Sequence, residues 1–516
     1  MKDLTMKFYS NRSPKKGYSW ENPPAPIPED QIVETIESEI VTVGGGISGL
    51  AASARLADKG LKVTVLDKNA KLFALAGQVA AVNTRIMAEK GIVIDKKKLA
   101  ADWLKVSGSR VQEDLLWIFI NRSGEGFHWM LDIAGEENLE VGVYIGYNGP
   151  MFSEYSGTHH VFKKRDCTKY TNFGGGTLVC EILQTELLDK GGQVLRSTTV
   201  EQLEKNAEGR VTGCIAKCAD GKYRRYNASK AVILASGDCS DNDEMLEAFC
   251  PIGLRPGTKF PRKGNTGDGQ KMAYWAGAAL DNPEWAPTLH ALAYSGFQGF
   301  YLHVNQLGKR FMNEDTWMQA KSVRCLMQPG GEWCFSVMDS KYADEMGERF
   351  DELGGQGMAP LTVVGQGYSK ESFVASVERH IKNGNAFVAD TIEELAEKMD
   401  VPADELVKTV KRYNEIVASG DDVDFGKRSS LLTSIEKGPF YALKWGPQLL
   451  DVFGGAQVNT DLNVLDSNAH PIPGLYAVGN AAGGMYAVDY PLLLNGNSYG
   501  RALAYAMQIG DVLGGK

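Results

Sequence analysis

The stretch that decides the fold is Ile40–Lys68, IVTVGGGISGLAASARLADKGLKVTVLDK. Val41 to Val43 close a β-branched run that reads as a buried strand. Gly44-Gly45-Gly46-Ile47-Ser48-Gly49 then fits G-x-G-x-x-G. An apolar, Ala-rich helix follows to Lys59, Gly60 caps it, and LKVTVLD supplies a second strand ending at Asp67. Each part has a physical task. Gly44 permits a tight turn, Gly46 lets a pyrophosphate approach the backbone N–H groups around Ser48 at the helix start, and Gly49 lets helix and strand pack closely. Asp67 is placed to accept from ribose hydroxyls. A bare glycine pattern says little, but strand, glycines, helix, strand and terminal acid in this order predict a dinucleotide site on a Rossmann-like α/β domain.

Composition narrows what surrounds that site. A chain of 516 residues, 43% apolar and 23% charged, is long enough for two to four domains. A net charge of -9 argues against nucleic acid, whose binders cluster cations. No run has the length of a membrane span; the most apolar short stretch, KAVILASG, reads as a buried strand. The first residues, MKDLTMKFYSNRSPKKGYSWENPPAPIPED, hold neither an apolar signal core nor twin arginines, and read as an extension draped over the fold. The eight cysteines are scattered, and Cys214 and Cys218 in GCIAKC read as strand residues that pack. There is no haem-attachment motif and no ferredoxin-type cysteine run. His159-His160 lacks carboxylate or cysteine partners at metal spacing, so no metal is expected. A reducing, cytoplasmic setting is the expectation.

Two later segments return to the cofactor. KAVILASGD, Lys230 to Asp238, is a strand ending in the small-residue turn Ala235-Ser236-Gly237, and GLYAVGNAAGG, Gly474 to Gly484, is a strand running into Gly479-Asn480. Together with GGGTLVCEIL (Gly174 to Leu183), GNTGDGQKMAYWAGAAL (Gly264 to Leu280), NQLGKRFMNED (Asn305 to Asp315) and KRYNEIVASGDDVDFGK (Lys411 to Lys427), they make the chain resemble the fumarate reductase and ketosteroid dehydrogenase superfamily of flavoproteins from about Glu39 to Asp511. The resemblance implies FAD as cofactor, and adds Lys68, Gly77, Gln78, Val200, Asp268, Asn497 and Ser498 to the cofactor contacts. It also implies a split layout: an N-terminal extension (1–35), an FAD-binding domain in two parts (36–250 and 436–516), and an inserted α+β cap (251–435) hinged to exclude water during hydride transfer. Within the cap, Thr391 with Glu394 reads as a capping box, and Pro402 starts a second helix. No second G-x-G-x-x-G is flanked by strand and helix, so no resident NAD site is indicated. Relatives that tether FAD covalently do so through a histidine where this chain has LFALAGQVA; its first histidine is His128, and non-covalent FAD is expected.

The resemblance also says what the substrate is not. Fumarate reducers clamp two carboxylates with arginines and histidines. Here the proton-delivering arginine falls at Met318, the His-His pair at Leu450-Asp451, the substrate arginine at Tyr490, and the other substrate histidine at Leu289, beside His290. A dicarboxylate would lose its charge-assisted partners at each point. Tyr490-Pro491 is instead similar to the steroid branch, where a tyrosine hydroxyl binds a ketone oxygen. That branch continues with glycines, whereas this chain has Leu492-Leu493-Leu494; its second tyrosine also falls at Met318. A neutral tyrosine suits an alkene conjugated to a carbonyl, since it can donate to developing enolate charge. Asp451, His290 and, from VYIGYNGPMF, Tyr144 or Tyr147 are candidate partners. Arg310 and Lys309 in GKRF read as architectural. The expected activity is FAD-dependent reduction of an enone or enoate in an apolar carbonyl substrate, with electrons from a separate donor. The alternatives are a ketosteroid-type dehydrogenase and a non-redox isomerase or hydratase containing FAD.

Overall fold

The computed structural model describes residues 17–74, 77–144, 149, 153, 155–260, 264–353 and 368–515. The deciding stretch folds as β1 (Ile32–Val43), α1 (Ile47–Asp58) and β2 (Val63–Asp67). The two strands are parallel, from Ile40 opposite Val63 to Val43 opposite Leu66. Ile40, Val41, Val63, Val65 and Leu66 are all buried, because a parallel strand covered on both faces has no solvent side to make polar. On the other side of β1 lies Tyr223–Leu234, also parallel, and beyond it Pro471–Ala477. The strand order is Asn463–Leu465, Pro471–Ala477, Tyr223–Leu234, β1, β2, Gln193–Arg196. The hairpin Thr199–Lys205/Val211–Lys217 joins the early half of Tyr223–Leu234, with Cys214 buried in it. α1 packs against the helices Gly175–Asp189 and Asn497–Gly514.

This topology matters for the site. Val43 pairs with Leu234, and Leu234 with Ala477. The carboxyl ends of three neighbouring parallel strands therefore arrive side by side, and the turns at Gly44, Ala235–Gly237 and Gly479 all leave from one edge. Open α/β sheets bind ligands at such an edge.

A second sheet is built around the long strand Phe440–Phe453, which pairs with Thr258–Lys259, Ala286–Tyr294, Cys334–Met338 and Ala386–Ala389; Leu302–Val304 lies outside Cys334–Met338. Against it pack Ile392–Met399 and Ala403–Ser419. The Thr391 hydroxyl caps the first of these, accepting the Glu394 N–H at 3.2 Å. Pro402 is the residue just before the second helix. A third, three-stranded sheet comprises Gln78–Ala80, Thr158–Lys163 and Leu139–Tyr144. Among the described residues no helix is long and apolar enough to cross a membrane.

Strand pairing moves the expected boundaries. Ile32 already pairs with Tyr223, so β1 begins inside the segment expected to be extension. The residues before it are pinned down: Tyr18 and Trp20 are buried, and the Trp275 indole donates to the Trp20 carbonyl at 2.9 Å. The divisions expected at 251 and 436 do not follow the sheets. Ala278 and Leu280 bridge to Asp466 and Ala456, next to the first sheet, whereas Phe440–Phe453 is the spine of the second. We propose a cap from about 282 to 453. The pattern of apolar residues marks Phe440–Phe453 as a strand without saying which sheet it joins.

Candidate active site

A cleft runs along the carboxyl edge of the parallel strands. Gly44 adopts φ +111°, and a Cβ there would lie 2.4 Å from the Ala235 carbonyl oxygen; at Gly49 it would lie 1.9 Å from that of Gly44. Gly46 differs: it lines the cleft, and a Cβ there would meet no protein atom within 4 Å. Only the first two glycines are required by the protein's own packing, so the third suits a group lying against the backbone. Gly44, Gly46, Ser48, Asp67, Lys68, Val200, Ala235, Ser236, Gly237, Asp268, Asn480 and Ser498, all expected at the cofactor, line this one cleft.

Its charged groups are paired across the chain. Asp67 at the end of β2 is held by Arg196 on the adjacent strand, and its other oxygen accepts the Asn69 N–H at 3.0 Å. Lys68 Nζ reaches Asp268 Oδ2 at 2.6 Å. Burial alone would raise the Asp268 carboxyl; Lys68 and Lys271 outweigh it and hold it below its ordinary value. Four expected contacts lie elsewhere. Gly479 stands behind the wall, where a Cβ would come 2.3 Å from Ser48 Oγ. Gly77 and Gln78 line the neighbouring cavity. Asn497 lines neither space: its amide donates to the Pro491 and Leu494 carbonyls at 2.9 and 2.8 Å and accepts from the Tyr486 hydroxyl at 2.7 Å. It shapes the loop that carries Tyr490, a role invisible in a linear motif.

The neighbouring cavity, of about 740 Å³, shares Asp451, Ser498 and Tyr499 with the cleft. One side is formed by Gly77, Gln78, Gly174, Gly175 and Gly496, the other by Thr288, His290, Leu292, Trp317, Met318 and Leu450. Phe162, Phe173, Phe260, Phe453, Tyr490 and Leu492 also line it, with the polar side chains of His160, Asn172, Thr177 and Asn495, and among the described residues no arginine or lysine does. Leu493 and Leu494 pack into the core instead.

Tyr490 stacks on Phe453 (4.8 Å, 25°) and on Tyr486 (5.7 Å, 15°). Burial pushes its phenol above the ordinary value, against hydrogen bonds to its oxygen from the Ser498 side chain and backbone N–H. It is therefore protonated at neutral pH. His290 and Thr288 project from the Ala286–Tyr294 strand, with Asp451 the register partner of Thr288. Burial lowers the His290 imidazole to about 4, only partly opposed by Asp451, so the ring is neutral. His290 Nε2 and Thr288 Oγ1 are buried and hydrogen-bond to no protein group. Tyr147, and the side chain of Tyr144, lie outside the described residues.

Two groups escaped the linear reading. Asp489, beside Tyr490, accepts from Gln319 Nε2 at 2.6 Å and from the Tyr490 N–H at 2.9 Å, and burial lifts it to about 7. Arg501 is fully buried, its guanidinium 4.7 Å from the Tyr486 ring centre and donating to Asn480 Oδ1 at 2.7 Å. An arginine inside the otherwise apolar RALAYAM turn was the available signal for the second. Arg310 is consumed by Glu314 (2.8 Å) and Asp422 (2.7 Å), as an architectural residue would be.

A glycine-lined, charge-paired cleft opening onto an apolar cavity is the arrangement of a dinucleotide flavoprotein. Residues 39–497 match the FAD binding domain family, and the chain belongs to it and binds FAD. It is similar to the vinyl phenol reductase of Lactiplantibacillus plantarum (25% identical over 485 residues, 90% of this chain and 94% of the relative). It is also similar to the urocanate reductase of Eggerthella lenta (28% over 488 residues, 91% and 73%). Among solved structures, the 3-ketosteroid-delta4-(5alpha)-dehydrogenase of Rhodococcus jostii has a TM-score of 0.72 at 24% identity, covering 95% of this chain and 99% of that one. An open flavocytochrome c3 fumarate reductase has 0.69 at 23%, covering 97% and 82%. These two likenesses establish the fold.

Proposed function

We propose that this chain is an FAD-dependent reductase of a carbon–carbon double bond in a neutral, conjugated small molecule, drawing electrons from a separate donor and holding FAD non-covalently. The observation that carries the reading is the cavity continuous with the dinucleotide cleft: aromatic and aliphatic in its walls, containing a protonated tyrosine, and among the described residues lined by no arginine or lysine. FAD, when bound and reduced, supplies a hydride. The protein's share is the rest. Trp317, Phe453 and Leu492 keep water from the reacting space. Tyr490 holds a proton at its phenolic oxygen, where it donates to negative charge developing on a conjugated substrate oxygen. The relatives named as reductases of vinyl phenol and urocanate agree with reduction as the direction.

A fumarate-type dicarboxylate is a poor occupant, because among the described residues no guanidinium lines the space to offset the cost of burying two charges. The experiment is anaerobic: the purified yellow protein is reduced, then mixed separately with fumarate, aryl alkenes and cyclic enones while the flavin colour is followed. Return of colour with an uncharged alkene, together with formation of the saturated product, supports the reading. Return with fumarate alone, or turnover of an isomerase type without any electron donor, overturns it.

A further inference from the structure

Gln319 is fully buried behind the larger cavity, at the start of the helix Met318–Leu326. Both ends of its amide are engaged. Nε2 donates to the Pro287 carbonyl at 2.9 Å and to Asp489 Oδ1 at 2.6 Å, and the amide oxygen accepts the Leu289 N–H at 2.7 Å. Its chain neighbours Trp317 and Met318 line the cavity, as do Thr288 and His290 on the strand it grips, and Tyr490 next to Asp489. One side chain thus ties three walls of one space together. The turn it reaches is strained. Val488 sits at φ +65°, where a β-branched residue is an outlier, and across it the Asp489 N–H donates to the Ala487 carbonyl at 2.7 Å. The Val488 N–H donates in turn to the Glu284 carbonyl at 3.0 Å. Asp489 Oδ1 also accepts the Tyr490 N–H at 2.9 Å, although burial of that carboxyl is costly enough to lift it to about 7. A strained residue beside a buried carboxyl marks a conformation that the surroundings impose.

We propose that Gln319 is a positioning residue for the reaction at this cavity: acting through Asp489, it fixes the strained turn that presents the Tyr490 hydroxyl. The proposal rests on the reading of Tyr490 as the proton donor of an alkene reductase, and deepens it. Stacking on Phe453 and Tyr486 sets the plane of the Tyr490 ring. Asn497 holds the loop after Tyr490, through the Pro491 and Leu494 carbonyls, and Gln319 with Asp489 holds it before. Donation to a developing oxyanion depends steeply on where the donor stands, and a misplacement of about 1 Å costs on the order of 100-fold in rate. With the link cut, the turn relaxes toward a conformation that Val488 prefers and carries the hydroxyl off its mark.

The test is fluorine NMR of holoenzyme carrying 3-fluorotyrosine at position 490 alone. Gln319→Met keeps the length of the side chain and loses its hydrogen bonds. Asp489→Leu cuts the same link from the other side, and decides the matter if the first variant fails to fold. Each should shift or split the fluorine resonance while the FAD content stays that of the native protein. In unlabelled protein, the rate at which cyclohex-2-enone reoxidises the reduced flavin should fall about 10–100-fold, with its apparent Kd changing less than about threefold. With Tyr490→Phe already present, Gln319→Met should cost less than about twofold more, because it acts through that hydroxyl. A resonance unmoved in both variants overturns the proposal, as does an equal loss of rate with and without Tyr490→Phe. The fluorine spectrum needs no turnover, so the two readings fail separately. If the resonance moves but no uncharged alkene reoxidises the flavin, the reductase reading falls and the positioning of Tyr490 stands. If alkenes reoxidise it but the resonance stays, only the role of Gln319 falls.

Discussion

The two cavities meet at Asp451, Ser498 and Tyr499, yet they are made of opposite materials. The cleft is walled by glycines, turn backbone and charges already paired across the chain, such as Lys68 with Asp268. The larger cavity is walled by aromatic rings and leucines, and its polar atoms at Thr288 and His290 have no protein partner. One has its charges paired within the chain; the other has buried polar atoms that bond to no protein group. The difference teaches where variation is tolerated: main chain that meets a fixed cofactor leaves little freedom, whereas side chains that line the second space can change without disturbing the fold.

The sharpest way to break that division is Gly46→Val. A valine there projects into the cleft and touches nothing else, so the purified protein should fold but carry no FAD, read from its visible absorption. A fully yellow variant would move the pyrophosphate away from Gly46. In the other cavity, Tyr490→Phe keeps the ring stack with Phe453 and Tyr486 and removes only the hydroxyl. FAD content should stay native while turnover drops about 100–1000-fold; unaltered turnover would take Tyr490 out of the reaction.

Asp489 tests whether the substrate side also costs stability. Its folded value, about 7, is raised above the ordinary 3.8 by burial. The folded state therefore binds this proton more tightly than the unfolded one. Stability is fullest at acid pH, falls as pH rises from about 4 to 7, and is level above. Asp489→Asn keeps an acceptor for Gln319 and the Tyr490 N–H but carries no charge. It should flatten that decline by about 2–4 kcal/mol in all, checked by denaturant midpoints at pH 5 and pH 8. Equal pH slopes for both proteins would mean the carboxyl is not held neutral. The smallest expected effect is at the pre-paired cleft: Asp268→Asn removes the partner of Lys68 and Lys271, and FAD affinity should weaken about tenfold in a fluorescence titration. No change would make the pair purely structural.

The same contrast explains what the sequence could reveal. Gly44, Gly46 and Asp67 were legible because local backbone geometry dictates them, and helix, strand and turn follow one another along the chain. The strands Tyr223–Leu234 and Pro471–Ala477 announced themselves as buried apolar runs ending in small residues. The family resemblance implies Asn497 as a cofactor contact, whereas helix geometry turns its amide toward the Tyr490 loop. Asp489 and Gln319 could not be paired from sequence, since 170 residues separate two groups that meet only in the folded chain. The cap boundary we propose differs from the expected one for a related reason. Phe440–Phe453 could have joined either sheet, and its partners are decided by tertiary packing.

The crossing between the sheets has one more consequence. The chain leaves the first sheet near Leu280 and returns near Ala456, and these two residues bridge each other; the Asp281 N–H also donates to the Gly455 carbonyl at 2.9 Å. Outgoing and returning strands are thus stitched into one ribbon. Gly454 and Gly455 are packed so tightly that a Cβ at either would lie 2.2 Å from Trp285 or from the Ala481 carbonyl oxygen. The ribbon brings the strands that carry Thr288, His290 and Asp451 to the edge of the first sheet, where these residues line the cavity beside the cleft.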